Sequence, residues 1–505
     1  MDQHQTLSRR NFVKAASVGA AALAATSAAT ALADEAANAE SWDEEADMVV
    51  IGLGAAGAAA AVTAIENGLS VAVVEHAGRG GGSTILSGGL LYMGGTKLQA
   101  ELGVEDSADN MLAYVTKSAG LDADPDLVKI FCSGSGDLYD WCVDHGMMFD
   151  GTVDTEGHNV IAPAGVVLSY SGNERAWEYE QVATPAPRGH SPNGGGAGIF
   201  EPLEKTVEEK ASVHYNTQGT GLVTDGAGTV VGITAVDADG NELRIKANKG
   251  VVVSAGAFTM NDAMLSDYAP YALATSGRTG CQYDDGSGIL MGMKVGAATK
   301  SLSVPNIQEF IYRFQDLPCG VMVDFRGHRF LGEDWYGTWI GRNVQQHTPD
   351  QAYMVVDSVI NEHVDDNLGL QQAVLVAQAD TVEDLAAQLG IDAGNLQATL
   401  DRYNSLVAAG EDTDFHKGAE YLKPVETAPF YAYDFSLTMC GFHTLGGLKI
   451  NADAQVVGLD GNPIEGLYAA GRSSNGIFGY YPGSGSSIAD ALTFGRIAGQ
   501  SISAK

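Results

Sequence analysis

Apolar and polar positions change rhythm several times along this chain, and the changes mark its parts. Met48-Val49-Val50-Ile51 is an unbroken apolar run, as expected of a parallel strand covered on both faces. The alanine-rich stretch Ala58 to Glu66 predicts a helix, and Val71 to Val74 a second buried strand ending at Glu75. From Ser107 to about Met148 the spacing is helical, with Pro125 opening one helix; residues 159–193 are rich in Gly and Pro; helical spacing resumes near Glu201. Between Val213 and Val253 the period falls to two. Short runs at 221–223, 230–236 and 243–245, with a turn at Asp237–Asn241, predict a β-meander, and Val251-Val252-Val253 a strand rejoining the sheet. Residues 261–433 read as a separate α+β region, helical from Asp380 to Ala409, and apolar strands return at 447–450 and 466–471. The expected architecture is α/β: a first domain in two pieces, 47–260 and 434–505, with 261–433 inserted in it as a cap.

The first strand, helix and second strand carry a specific chemistry. Gly52, Gly54 and Gly57 form G-x-G-x-x-G in the strand-to-helix turn: the first glycine for the turn, the second for close approach of a pyrophosphate, the third for tight helix packing. Ala56 lies in the same turn. Glu75 falls at about the spacing, roughly 20 residues on, where a carboxylate meets ribose hydroxyls. A second loop, Gly80-Gly81-Gly82-Ser83-Thr84 with Ser87-Gly88-Gly89, follows at once. Its small residues suit the extended path of FAD rather than NAD. The first domain therefore reads as a Rossmann-like FAD-binding domain with an inserted meander, to which Val223, Ala255, Gly256, Gly471, Arg472, Ser487 and Ile488 are expected to add cofactor contacts.

Composition adds a location. Ser8-Arg9-Arg10-Asn11-Phe12-Val13-Lys14 precedes an Ala-rich stretch ending in Ala31-Leu32-Ala33, which resembles a twin-arginine export signal over residues 1–33. Residues 34–46 then form an acidic linker, and the expected site of action is the periplasm or the outer face of the cell membrane. No apolar run is long enough to span a bilayer. The formal net charge is −35, which argues against nucleic acid and anionic membranes as partners. Five scattered cysteines, without CxxC or CxxCH, provide neither a haem attachment nor an iron–sulfur cluster, and leave disulfides and buried thiols both open. No metal site is expected.

Residues 47–502 resemble FAD-dependent fumarate reductases and succinate dehydrogenase flavoproteins, with urocanate-type reductases and 3-ketosteroid dehydrogenases as relatives. The resemblance lies in the FAD unit, Arg329-Phe330-Leu331-Gly332-Glu333, Ala428-Pro429-Phe430-Tyr431-Ala432, His443-Thr444-Leu445-Gly446-Gly447 and Gly466-Leu467-Tyr468-Ala469-Ala470-Gly471. It implies an FAD domain with a mobile cap and a reaction cleft between them. Fumarate reductases hold two carboxylates with cations, and of four such positions only His443 is kept. Phe310, Gly337 and Pro482 stand at the others, so a dicarboxylate would be left largely uncompensated. Arg472 replaces a glutamate. Tyr481-Pro482-Gly483-Ser484-Gly485 instead resembles the YPGxG of ketosteroid dehydrogenases, which implies that Tyr481 and the Gly485 amide polarise a ketone, with Tyr336 close to the position of a proton-transfer tyrosine.

The expected function is hydride transfer between flavin N5 and a C=C or C–C bond conjugated to a ketone, in a bulky, apolar or steroid-like molecule. Catalytic candidates are Tyr481, Gly485, Tyr336 and His443, and Trp335, Trp339 and Tyr480 are candidates for an apolar wall. A separate electron carrier, cytochrome or quinol-linked, is implied. One rival is an enoate reductase of the urocanate type using His443 with Arg342 or Arg313; another is a flavin electron-transfer or sensor protein without turnover.

Overall fold

The computed structural model describes residues 41–158, 163–309, 317–364 and 374–505. The expected export signal, the start of the linker, Phe310 and Arg313 lie outside the described residues. Strand β1 (Glu44–Ile51), helix α1 (Ala55–Glu66) and strand β2 (Val71–Val74) form the opening βαβ unit. β1 pairs in parallel with β2, Val50 opposite Val73. Strand β3 (Ser212–His214) continues the sheet beyond β2. Strands β4 (Thr217–Thr224), β5 (Val230–Asp237) and β6 (Glu242–Val253) form the antiparallel meander. The runs expected at 243–245 and 251–253 are one twelve-residue strand: the first half of β6 pairs with β5, and Gly250–Val253 lie beside Met48–Ile51 in the parallel sheet.

The linker expectation is corrected at its end. Trp42 lies beneath Arg244, Asp43 exchanges backbone and side-chain hydrogen bonds with Arg244, and β1 begins at Glu44, so residues 44–46 are part of the sheet and 42–43 are fastened to it. The cap also begins later than 261. Met264, Leu265, Ile289, Leu302 and Ile307 pack into the first core, whereas the second core runs from Cys319 to Phe435. Strand β7 (Pro305–Gln308) lies just before the cap. Within the cap, helix α2 (Gly337–His347) packs on β7, where a Cβ at Gly341 would sit 2.8 Å from the Ile307 carbonyl oxygen. Strands 321–323, 353–356, 430–434 and 375–379 form its antiparallel sheet.

The chain then returns. Strand β8 (Gly441–Thr444) pairs antiparallel with β7, Asn306 opposite His443. Strand β9 (Pro463–Ala469) joins the parallel sheet beside β6, and helix α3 (Ser486–Ser503) packs along α1. Close approach of α3 is possible because Gly495 and Gly499 face α1, where a Cβ would meet the Ala56 and Ala60 carbonyl oxygens. All five cysteines are free thiols.

Candidate active site

A cavity of about 370 Å³ runs along the ends of the parallel strands from Glu75 to Tyr481. At its first end the walls are mostly backbone. Gly52 has φ +94°, and a Cβ there would fall 2.7 Å from the Ser254 carbonyl oxygen, so the turn requires glycine. Gly57 stands behind the wall, where a Cβ would lie 2.1 Å from the Gly52 carbonyl oxygen. Gly54, the N-cap of α1, differs: nothing lies closer than 3.9 Å to a Cβ built on it, and it borders the cavity. A helix N-terminus facing open space beside a glycine is a diphosphate cradle.

Glu75 closes this end. Its carboxylate accepts from the Leu53 N–H at 2.7 Å and the Ala77 N–H at 2.8 Å, and burial raises its pKa. Thr84 Oγ1 accepts from the Ala55 N–H at 3.2 Å, fastening the second glycine loop to α1. Ala56, Gly82, Ser83, Ser87, Gly88, Ala255, Gly256, Gly471, Arg472, Ser487 and Ile488 all border the cavity. Val223 does not: strand β4 presents Thr217, Gln218 and Gly219 instead, at the opposite end of the strand, which corrects that expectation.

Asp284 was not anticipated. Its buried carboxylate accepts from Ser83 Oγ at 2.6 Å and the Ala257 N–H at 3.1 Å, and pairs with Arg472 at 3.1 Å. The signal available in the sequence was an acid pair opening a glycine-rich turn, Asp284-Asp285-Gly286. Arg472 is the only Lys or Arg among the described residues bordering this cavity, and Asp284 neutralises it.

The far end is made of side chains. Gly485, the N-cap of α3, has φ +96°, with the Tyr92 amide 2.8 Å from where a Cβ would stand. This conformation turns 481–485 back over the helix start, and Tyr481 Oη accepts from the Ser487 N–H at 3.3 Å. Burial raises the Tyr481 pKa, so the phenol is protonated at neutral pH and free to donate. His443 meets the Tyr481 ring edge-on with centroids 5.3 Å apart. Its Nδ1 lies 3.4 Å from Thr279 Oγ1, and burial, helped by Arg472, lowers its pKa to about 3, so it is neutral. Tyr336 does not border the cavity. It is 1% exposed, with its hydroxyl 2.7 Å from Ser484 Oγ, and Ser484 does border the cavity.

The loop 171–174 fixes this arrangement. Asn173 Oδ1 accepts from the Tyr336 N–H at 2.7 Å, and the Asn173 N–H donates to Tyr114 Oη, whose hydroxyl donates to the Pro482 carbonyl, each at 2.7 Å. The Ser484 N–H donates to the Ser171 carbonyl at 2.7 Å. Of the expected apolar wall, Trp339 and Tyr480 border a smaller neighbouring cavity and Trp335 neither.

A glycine-built nucleotide cradle at one end of a cavity, with a buried phenol at its other end, defines the site of a flavin enzyme. Residues 47–488 match the family described as FAD binding domain, and the chain belongs to that family. It is 31% identical to a urocanate reductase of Eggerthella lenta over 92% of this chain and 76% of that protein. It is 26% identical to a 3-oxosteroid 1-dehydrogenase of Mycolicibacterium smegmatis over 91% and 98%. Among solved structures, 3-ketosteroid-Δ4-(5α)-dehydrogenase of Rhodococcus jostii RHA1, in complex with 4-androstene-3,17-dione, superposes with a TM-score of 0.86 and 34% identity, covering 93% of this chain and 99% of that one. The protein is an FAD-dependent oxidoreductase acting on CH–CH groups.

Proposed function

We propose that the enzyme acts on a C–C or C=C bond conjugated to a ketone in a bulky, apolar molecule, and that it is exported by the twin-arginine route and exchanges electrons with a separate carrier, cytochrome or quinol-linked. The observation that carries the ketone reading is Tyr481, a protonated phenol held at 3.3 Å by an amide in the first turn of α3, beside the Gly485 amide.

FAD, when bound, supplies hydride chemistry at the carbon β to the carbonyl. Gly52, Gly54 and α1 would hold its pyrophosphate and Glu75 its ribose, while Ser83, Asp284 and Arg472 line its path. The chain's own work is at the ketone and the α-carbon. The Tyr481 hydroxyl and Gly485 N–H donate to the substrate oxygen and stabilise the enolate that forms as the β-carbon gains or loses hydride. Tyr336, through Ser484 Oγ, delivers a proton to the α-carbon in reduction: the Ser484 hydroxyl gives its proton to carbon and takes the phenol's in turn, leaving a phenolate for solvent to reprotonate. Burial keeps both phenols neutral, as proton donors must be.

A dicarboxylate fits poorly. Gly337 and Pro482 occupy positions expected of cations, His443 is neutral and Arg472 is already paired. The likeness to a 3-ketosteroid dehydrogenase supports the ketone; the likeness to a urocanate reductase supports an enoate, which would need a cation at the main cavity. The deciding experiment is anaerobic. Flavin reduced with dithionite is offered a 3-keto-4-ene steroid, fumarate, urocanate and a cinnamate in turn, and its absorbance followed. Reoxidation by the enone is the expected result; reoxidation by a carboxylate alone would transfer the proposal to the enoate.

A further inference from the structure

We propose that the small cavity beside the active site binds a carboxylate carried by the far end of the substrate, with Arg342 as its cation; the substrate is then an oxo acid, with its ketone at Tyr481. The inference rests on the ketone reading for which end of the molecule reacts.

This second cavity, about 140 Å³, lies between β7, α2 and the 480–481 loop, and Tyr481 borders both cavities. Their floors are continuous. Asn306 and His443 stand opposite each other in the β7–β8 ladder, so their side chains leave the same face, and Gln308, two residues along, shares it. His443 and Gln308 border the main cavity and Asn306 the small one. A molecule held at Tyr481 has a floor to follow from one into the other.

That floor is polar and unsatisfied. Asn306 is 1% exposed, yet neither its Nδ2 nor its Oδ1 has a partner among the described residues. Trp339 Nε1, buried at the same cavity, also lacks an acceptor among them. Buried polar groups in native proteins are nearly always paired, and the absence of partners on several groups around one cavity points to a ligand that supplies them. The charge is set by Arg342. Its guanidinium lies 3.3 Å over the Tyr480 ring and 5.2 Å from Trp339, half-buried, and no carboxylate among the described residues pairs with it. Burial lowers its pKa, but arginine keeps its charge in proteins. A flat cation stacked on one face leaves its N–H edge for an anion, and a carboxylate takes two such hydrogen bonds. The neutralised Arg472 offers no competing place for that charge.

The test uses the oxidised holoenzyme and two pairs of probes, each an acid with its own methyl ester: 3-oxochol-4-en-24-oic acid and 4-oxocyclohex-2-ene-1-carboxylate. Perturbation of the oxidised flavin spectrum gives dissociation constants, and anaerobic reoxidation of a dithionite-reduced sample gives reactivity. At least one acid should bind about tenfold or more tighter than its ester, the scale of a hydrogen bond to a charged group. Arg342→Gln should abolish that ratio, and Arg342→Lys restore part of it. Equal binding of acid and ester in both pairs, or an Arg342→Gln loss shared equally by acid and ester, overturns the proposal while the ketone reading stands on reoxidation by the esters. Reoxidation by urocanate and by none of the ketones overturns the ketone reading and the proposal together.

Discussion

The two ends of the main cavity are built by opposite means. At the Glu75 end one continuous stretch, 47–89, makes most of the wall, and the contacts it offers are backbone amides exposed by glycines. At the Tyr481 end the wall comes from 279, 308, 443 and 481–487, with 171–174 fixing it from behind, and the contacts are side chains held by hydrogen bonds between segments more than 100 residues apart. A backbone cradle must be specified by the absence of side chains, which is visible as glycine spacing. A side-chain site is specified by the fold that gathers it, and no local pattern announces it.

The largest effects should come from the first end, where two glycines three residues apart are expected to fail differently. Gly57→Val puts carbon 2.1 Å or less from the Gly52 carbonyl oxygen and should prevent folding, read as insoluble protein or a lost thermal transition. At Gly54 a Cβ has nothing nearer than 3.9 Å, so the apo chain of Gly54→Val should melt within a few degrees of wild-type apoprotein yet purify colourless and inactive. A yellow Gly54→Val protein would remove the pyrophosphate from this turn.

Next come the phenols of the second end, where fold and cofactor should survive. Tyr481→Phe removes one donor to the enolate oxygen and should lower kcat about 100- to 1,000-fold with the flavin spectrum intact. Activity within a few-fold of wild type would eliminate the oxyanion role. Tyr336→Phe should cost about 100-fold, as loss of a positioned acid does. If Ser484 relays its proton across the 2.7 Å contact, Tyr336→Phe with Ser484→Ala should lose little more than the worse single variant. Multiplicative losses would show that the two act independently.

The same contrast explains what could be read before the structure. The βαβ unit, the meander and the late return of the chain were legible because strand and helix periods and glycine positions are local properties. Trp42 to Ala46 looked like linker because its acidic composition hides a pairing with Arg244 some 200 residues away. Residues 264–307 looked like cap because their alternation does not say which core they enter. The place of Tyr481 and Gly485 at the cavity was legible from a compact motif, whereas Asp284, Asn173 and the Ser484 bridge were not: each is held by a partner that only the fold brings near.

The smallest effect concerns His443 and sharpens the comparison through its charge. Burial lowers the pKa of His443 to about 3 and of His190 to about 4, against about 6.5 in an unfolded chain. Below pH 6.5 the unfolded state therefore binds protons that the native state refuses. Stability is full above 6.5 and falls as pH drops toward 4, by about 1.4 kcal/mol per pH unit for each histidine. Asp490, on α3, acts in the opposite direction: burial raises its pKa from 3.8 to about 8, so its contribution is full below 3.8, falls as pH rises between those values and is gone above 8. His443→Gln should flatten the acid limb of a plot of Tm against pH and leave the alkaline limb alone. Because the native histidine stays neutral, the same variant should leave the shape of the kcat/KM profile between pH 5 and 8 unchanged. An ionisation near 6.5 that vanishes from that profile in His443→Gln would mean that the histidine titrates in the free enzyme, and the far end of the cavity would then hold a cation below that pH after all.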